Sequence, residues 1–241
     1  MIRQNTFFNS LNVATGGGGS SLLSGIQSYW NLDAANPPAV DSTGLASLTN
    51  YNITYNQTGI INKCYYYNGS GGSYTGLVYN AAYNFTNAMT LSFWMNTSTS
   101  GTFMDLITNW SSGDGTGWIV YKDTDDNVYY EVHDPAQSPA NSAAISGSSQ
   151  ATGSWFHIVA TFDGSNPRIY INNVIGSVVG TTWSHNIVYT TNNRFTFGAN
   201  NVPANYYTGY LDEIGVWNRV LTSGEISTLY NSGAGKTYPF S

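Results

Sequence analysis

Hydrophobic residues in this chain recur at every second position in short runs, and Trp155 to Val174 shows the pattern most clearly. Phe156, Ile158, Ala160 and Phe162 fall on one face, and Trp155, His157, Val159 and Thr161 on the other, which is the period of a β-strand. Ile169 and Ile171 then alternate with Arg168, Tyr170 and Asn172. Between the two runs, Asp163-Gly164-Ser165-Asn166-Pro167 supplies turn formers, and Asn172-Asn173 marks a second tight turn, because Asn tolerates the left-handed conformation. The stretch predicts a central hairpin. Comparable runs occupy 28–33, 60–68, 76–80, 89–96, 102–109, 117–122, 127–133, 194–198 and 208–217, separated by loops rich in Gly, Asn and Ser. Many short strands with such turns predict an all-β sandwich or closed sheet. The stretch 133–154 has no alternation and reads as a surface loop.

Helical periodicity begins only at Thr222. Thr222 fits an N-cap, Glu225 the third helical position of a capping box, and Leu221 with Ile226 a hydrophobic staple. Gly233 is placed to end the helix in the left-handed conformation. Ile226, Leu229 and Tyr230 are predicted to cover one edge of the sandwich. Residues 1–25 stand apart: Ile2, Phe7, Phe8, Leu11 and Val13 are isolated apolar positions, and Gly16 to Ser21 reads as a flexible linker. The segment is either a loose tail or an anchoring arm whose Phe7 and Phe8 dock on a partner subunit. The remaining 26–241 form one domain.

Several motifs fall in a fixed order across 28–233: Tyr29-Trp30-Asn31-Leu32-Asp33, then Asp41-Ser42-Thr43-Gly44, then Tyr67-Asn68-Gly69, then MTLSFWMN at 89–96. They close with Gly209-Tyr210-Leu211-Asp212-Glu213-Ile214 and the segment from Trp217 to Ile226. This order resembles the laminin-G-like (concanavalin A-like) domains of the lectin–glucanase superfamily, of the pentraxin/laminin-G type. The resemblance implies an antiparallel two-sheet jelly roll with one short C-terminal helix. Asn173 departs from the family's usual Gly and changes how that turn is built.

Length and composition fit this reading. A chain of 241 residues suits one sandwich domain of roughly 200–250 residues. The single cysteine, Cys64, excludes an intrachain disulfide. Charged residues make up 8%, the net charge is −6, and the seven Lys and Arg are scattered, which argues against a nucleic-acid partner. No apolar run is long enough to span a membrane, and the first residues lack the apolar core of a signal peptide. Abundant Asn, Thr, Ser, Gly and Tyr is the composition of a surface-displayed β-protein. Together these point to a phage or virus structural protein, a decoration or fibre subunit on the virion surface, with extracellular or cell-surface display as the alternative. Capsid subunits met through the arm, glycans met through the domain, and further copies of the chain are the expected partners.

Chemistry is sparse. Glycoside cleavage needs two carboxyl groups about 5–10 Å apart, and Glu131 has Tyr129 and His133, not an acid, as its neighbours on one strand face. Glu213 and Asp212 leave opposite faces, and Glu225 serves the cap. His157 reads as a hydrogen-bonded structural histidine, and Cys64 as a buried thiol. The resemblance implies a structural calcium with Asp41 and Asp212 as ligands; alternatively Asp41 caps its own turn and Asp212 binds backbone amides. Asp123-Thr124-Asp125-Asp126-Asn127 lacks the glycine and distal glutamate of a calcium loop and reads as a hairpin turn. Carbohydrate binding would use aromatic platforms in or beside loops, and Trp110, Trp118, Trp183, Tyr189, Tyr206 and Tyr207 are the candidates, each also able to serve as rim packing. Trp30, Trp94, Trp155 and Trp217 read as core. The expected function is a non-catalytic recognition module with weak carbohydrate binding; a purely structural virion protein and, disfavoured, a glycan-active enzyme are the alternatives.

Overall fold

The computed structural model describes residues 21–137, 141–179, 186–201 and 204–241. Phe7, Phe8 and the glycine linker lie outside the described residues. In chain order the strands are β1 (Ile26–Trp30), β2 (Thr49–Tyr51), β3 (Thr54–Thr58), β4 (Lys63–Asn68), β5 (Tyr74–Leu77), β6 (Met89–Thr97), β7 (Met104–Ser111) and β8 (Thr116–Lys122). They continue with β9 (Val128–His133), β10 (Asn141–Ile145), β11 (Phe156–Phe162), β12 (Pro167–Ile171), β13 (Val174–Ile175), β14 (Ser177–Val179), β15 (Arg194–Phe197) and β16 (Thr208–Trp217), and one helix, α1 (Ser223–Tyr230), follows.

Two antiparallel sheets result. One runs β13-β12-β11-β6-β16-β4-β3 with β1 beside β16; the other runs β14-β10-β9-β8-β7-β15-β5-β2. Their inner faces share one core, in which Trp30, Phe93, Trp118, Tyr130, Ile158 and Phe195 are almost fully buried. Each such side chain contributes about 1.5–3 kcal/mol of apolar burial. The all-β sandwich predicted from the alternation, and the two-sheet jelly roll that the resemblance implies, is what the chain forms.

The predicted central hairpin is β11–β12. The Asp163 carboxylate accepts from the amides of Ser165 and Asn166 at 2.9 and 2.8 Å, and Pro167 opens β12, where its missing N–H costs least. Asn172 and Asn173 both take positive φ, 50° and 66°, as a two-residue hairpin turn between Ile171 and Val174 requires. The Asn172 side chain also accepts from the His157 amide at 2.8 Å, while Asn173 takes, at φ 66°, the left-handed position where the family usually has Gly. Asn172→Ala should therefore lower stability by about 1–2 kcal/mol through a strained φ and a lost hydrogen bond, measurable by urea denaturation.

Strand β11 is buried on both faces. Ile158, Ala160 and Phe162 enter the main core, while Val159 joins a second cluster with Tyr29, Trp217, Ile226, Leu229 and Phe240. Helix α1 therefore lies across the outer face of the first sheet and not along an edge, with Tyr230 beside the rings of Trp94 and His157. The outward residues of β1, β11 and β16 are apolar enough to demand that cover. His157 bonds Ser92 Oγ at 2.8 Å and is structural, as the sequence suggests. The capping box forms as predicted, but the helix ends at Asn231, left-handed at φ 46°; Gly233 closes the short turn beyond it.

The stretch 133–154 is not a plain loop, because β10 lies within it and pairs with β9 and β14. Its Ala143-Ala144 centre has no alternation to announce a strand. Strands β2, β3, β13 and β14 were equally silent, being short, polar or exposed on both sides. The loop 123–127 is the β8–β9 hairpin turn; Asp126 takes φ 64° and its carboxylate meets Lys122, Ser100 and Gly101. Among the described residues no helix is long and apolar enough to cross a membrane.

Candidate functional site

With α1 on the first sheet, the outer face of the second sheet carries the polar and aromatic residues that project outward. Arg194 on β15 faces Trp110 on β7, Trp110 faces Gly117 on β8, and Gly117 faces His133 on β9. Gly117 is required there: its φ is +98°, and a Cβ would stand 2.0 Å from the Asn109 carbonyl oxygen. Its bare backbone leaves a slot across which the His133 ring reaches Trp110, with centroids 4.2 Å apart and planes inclined by 59°.

One residue pair further along, Thr108, Ile119 and Glu131 lie side by side. Asp105 should not belong to this face, because it is three residues from Thr108 and side chains alternate along a strand. A register shift between Asp105 and Ile107 inserts the extra residue that turns Asp105 outward, opposite Tyr121. Phe103, Asp105, Trp110, Ile119, Tyr121, Glu131, His133, Asn200 and Asn205 then enclose a hollow of about 370 Å³.

The groups in this hollow are held unequally. Tyr121 donates its hydroxyl to Glu131 at 2.7 Å, and the other Glu131 oxygen meets His133 Nε2 at 2.8 Å. Burial, reinforced by Glu131, pushes the Tyr121 phenol upward. Asp105 is fully buried, and among the described residues neither carboxylate oxygen meets a donor in good hydrogen-bond geometry. Burial raises its pKa to about 7, with Asn205 and Asn200 beside it drawing it back slightly. The adjacent Asn200 side-chain oxygen is likewise unpartnered. A carboxyl whose folded pKa is raised contributes stability in acid, below its unfolded value, and loses it as pH rises through about 7. Asp105→Asn should flatten that decline, leaving the unliganded variant about 2–4 kcal/mol more stable than wild type at pH 8, as read by denaturation across pH.

Among the described residues, Trp110 is the predicted platform that stands in the hollow. Trp118 is fully buried against Phe195, because its strand position points inward. Tyr207 is a core residue beside Tyr67. Tyr189 packs on the core and donates to the Phe85 carbonyl at 3.1 Å. Tyr206 is half-buried near Tyr74, and Trp183 lies outside the described residues. Trp30, Trp94 and Trp217 are buried. The Asp41 carboxylate accepts from the amides of Tyr29, Thr43, Leu45 and Ala46 and from the Thr43 hydroxyl, all within 3.1 Å. Asp212 accepts from the amides of Ile60, Ile61 and Glu213. The Asp41 carboxylate is filled by five N–H and O–H donors, the environment of a turn cap, whereas Asp212 takes three amides and its pKa is raised to about 9 by burial and the neighbouring Glu213. Among the described residues no group of three or more His, Cys, Asp or Glu side chains is disposed to hold a metal ion.

The sequence matches the family described as concanavalin A-like lectin/glucanases (Laminin_G_3) over residues 68–227, about two thirds of the chain. The chain belongs to this superfamily. Among curated proteins none matches it. Solved structures that resemble this superfamily member include the binding domain of Paraclostridial Mosquitocidal Protein 1, at 19% identity and a TM-score of 0.70, over 88% of this chain and 53% of that one. A structure of botulinum neurotoxin type C, whose cell entry is described as dependent upon interaction with two ganglioside molecules, matches at 15% identity and TM-score 0.68, over 89% and 53%. Domain 4 of AbnA, an extracellular arabinanase of Geobacillus stearothermophilus solved with arabinotriose, matches at 20% identity and TM-score 0.63, over 88% and 98%. The chain thus spans about half the length of the toxin structures, and identities this low speak for the fold alone.

Proposed function

We propose that the outer groove of the second sheet binds a glycan without cleaving it. The observation that carries this is the hollow of about 370 Å³ in which the half-buried ring of Trp110 stands with Tyr121, Glu131 and His133, with the buried Asp105 at its far end. A half-buried aromatic ring is a platform against which a pyranose face lies, with polar side chains around it to meet the sugar hydroxyls. Glu131, His133 and Tyr121 hold one another and offer remaining lone pairs and N–H groups along the wall. The binding partners named for the structural neighbours, gangliosides and arabinotriose, support the same reading.

The enzyme alternative has one observation behind it. Asp105 and Glu131 line one hollow, a pairing across strands that the search along single strands could not find. Glu131, however, is held by Tyr121 and His133 and Asp105 is fully buried, so the pair does not present two accessible carboxyls to a glycosidic bond. Display of many copies on a particle, anchored through residues 1–25, would raise avidity from weak single sites.

The test is to apply the full chain to a broad glycan array and to assay the same glycans for reducing-end release. Specific binding with no release is expected. Release abolished by Asp105→Asn would make the groove an active site, and a blank array would defeat the glycan reading.

A further inference from the structure

The groove continues past Trp110 toward the edge of the second sheet. Arg194 is the cross-strand neighbour of Trp110, is exposed, and lines two adjoining hollows of about 210 and 520 Å³. Elsewhere Lys122 and Arg219 are committed to Asp126 and Glu225. Arg194 has no ion pair or hydrogen bond among the described residues. Asp114 shares the larger hollow with it but takes its hydrogen bonds from Ser111, Thr190 and Asn192. Beyond Arg194, Tyr51 and Tyr74 stack with centroids 4.4 Å apart and planes 16° from parallel. Tyr51 is 44% exposed, so one ring face is open. Arg194, Tyr51 and Tyr74 line the smaller hollow together, which places the cation beside the aromatic pair.

An uncommitted guanidinium between two aromatic platforms, in a protein of net charge −6, is a recognition device for a negative group carried on a sugar. Its planar fork matches a carboxylate through two parallel N–H···O bonds. We infer that this end of the groove selects an acidic glycan, the carboxylate of a uronate or sialate resting on Arg194 and the ring beside it on Trp110 or Tyr51. The inference rests on the glycan-binding reading above and adds the ligand's charge to it.

The experiment titrates the full chain with oligogalacturonate, its methyl ester, oligosialic acid and a sulfated dextran oligosaccharide. Wild type, Arg194→Gln, Lys63→Gln and Trp110→Ala are compared after equal melting temperatures are verified. A carboxylated oligosaccharide should bind, and both esterification and Arg194→Gln should weaken it about 10-fold, with Lys63→Gln, on the other sheet, unchanged. Neutral and acidic glycans bound equally, with Arg194→Gln without effect but Trp110→Ala damaging, would overturn the acidic assignment and leave glycan binding standing. Preference for the sulfated probe would overturn the carboxylate. Failure of wild type to bind any probe or any arrayed glycan would remove both readings.

Discussion

Trp110→Ala weakens glycan binding at least about 30-fold, the loss typical when a central aromatic anchor worth about 2 kcal/mol is truncated. The ring sits between Arg194 and the Gly117 slot, and His133 packs against it at 4.2 Å. Truncation removes the stacking surface and also frees His133 to swing into the gap. Because Trp110 is only half-buried, the fold should survive, with a melting temperature within a few degrees of wild type. Titration calorimetry with an array-selected oligosaccharide reads the effect; an unchanged affinity would place binding elsewhere on the molecule.

The largest loss of stability is expected from Asp41→Ala. Five donors converge on this carboxylate, which is only 5% exposed. They join strand β1 to the turn after it. Removing the acceptor strands four backbone amides, and hydrogen bonds to a charged group are worth about 1.5–3 kcal/mol each before water replaces some of them. A net cost of about 3–5 kcal/mol follows, or roughly 10 °C in melting temperature for a domain of this size. Burial alone would raise the Asp41 pKa, but the amides of Ala46, Tyr29 and Thr43 outweigh it and hold the carboxyl below its usual range. A depressed folded pKa gives stability that is complete above the unfolded value and lost as pH falls through the folded one. The variant should therefore also lose part of the acid sensitivity of wild type. If Asp41 is a cap, EDTA leaves the melting temperature of wild type unchanged; a drop in EDTA that the variant does not share would restore calcium to this carboxylate.

The fold was legible because alternation and turn chemistry agree along most of the chain. The β11–β12 hairpin, the Thr222–Glu225 capping box and the burial of Trp30, Trp94 and Trp217 all follow from local pattern, though only Trp30 faces the main core and Trp155, read as core, is half-buried. Strand β14 escaped because its side chains are exposed, and β10 because its small Ala143-Ala144 centre, though buried, carries no alternation. The site was half legible. Trp110 could be named from its place near a loop, but Trp118, eight residues on, could not be told from it without knowing which face is inward. Asp105 was hidden for a sharper reason. A one-residue bulge reverses the face of everything before it, and nothing in Met104-Asp105-Leu106-Ile107 announces the bulge. Arg194 and Tyr74 are separated from Trp110 by 84 and 36 positions and meet only through the sheet order.

The account's central claim is the location of binding on the outer face of the second sheet. Hydrogen exchange of the full chain, with and without an array-selected oligosaccharide, tests it most directly. The account predicts ligand protection in β7, β8, β9 and β15 and in the loop carrying Asn200 and Asn205, with α1 and the first sheet unaffected. Protection confined to the α1 side, or to rim loops away from Trp110 and Asp105, would contradict it.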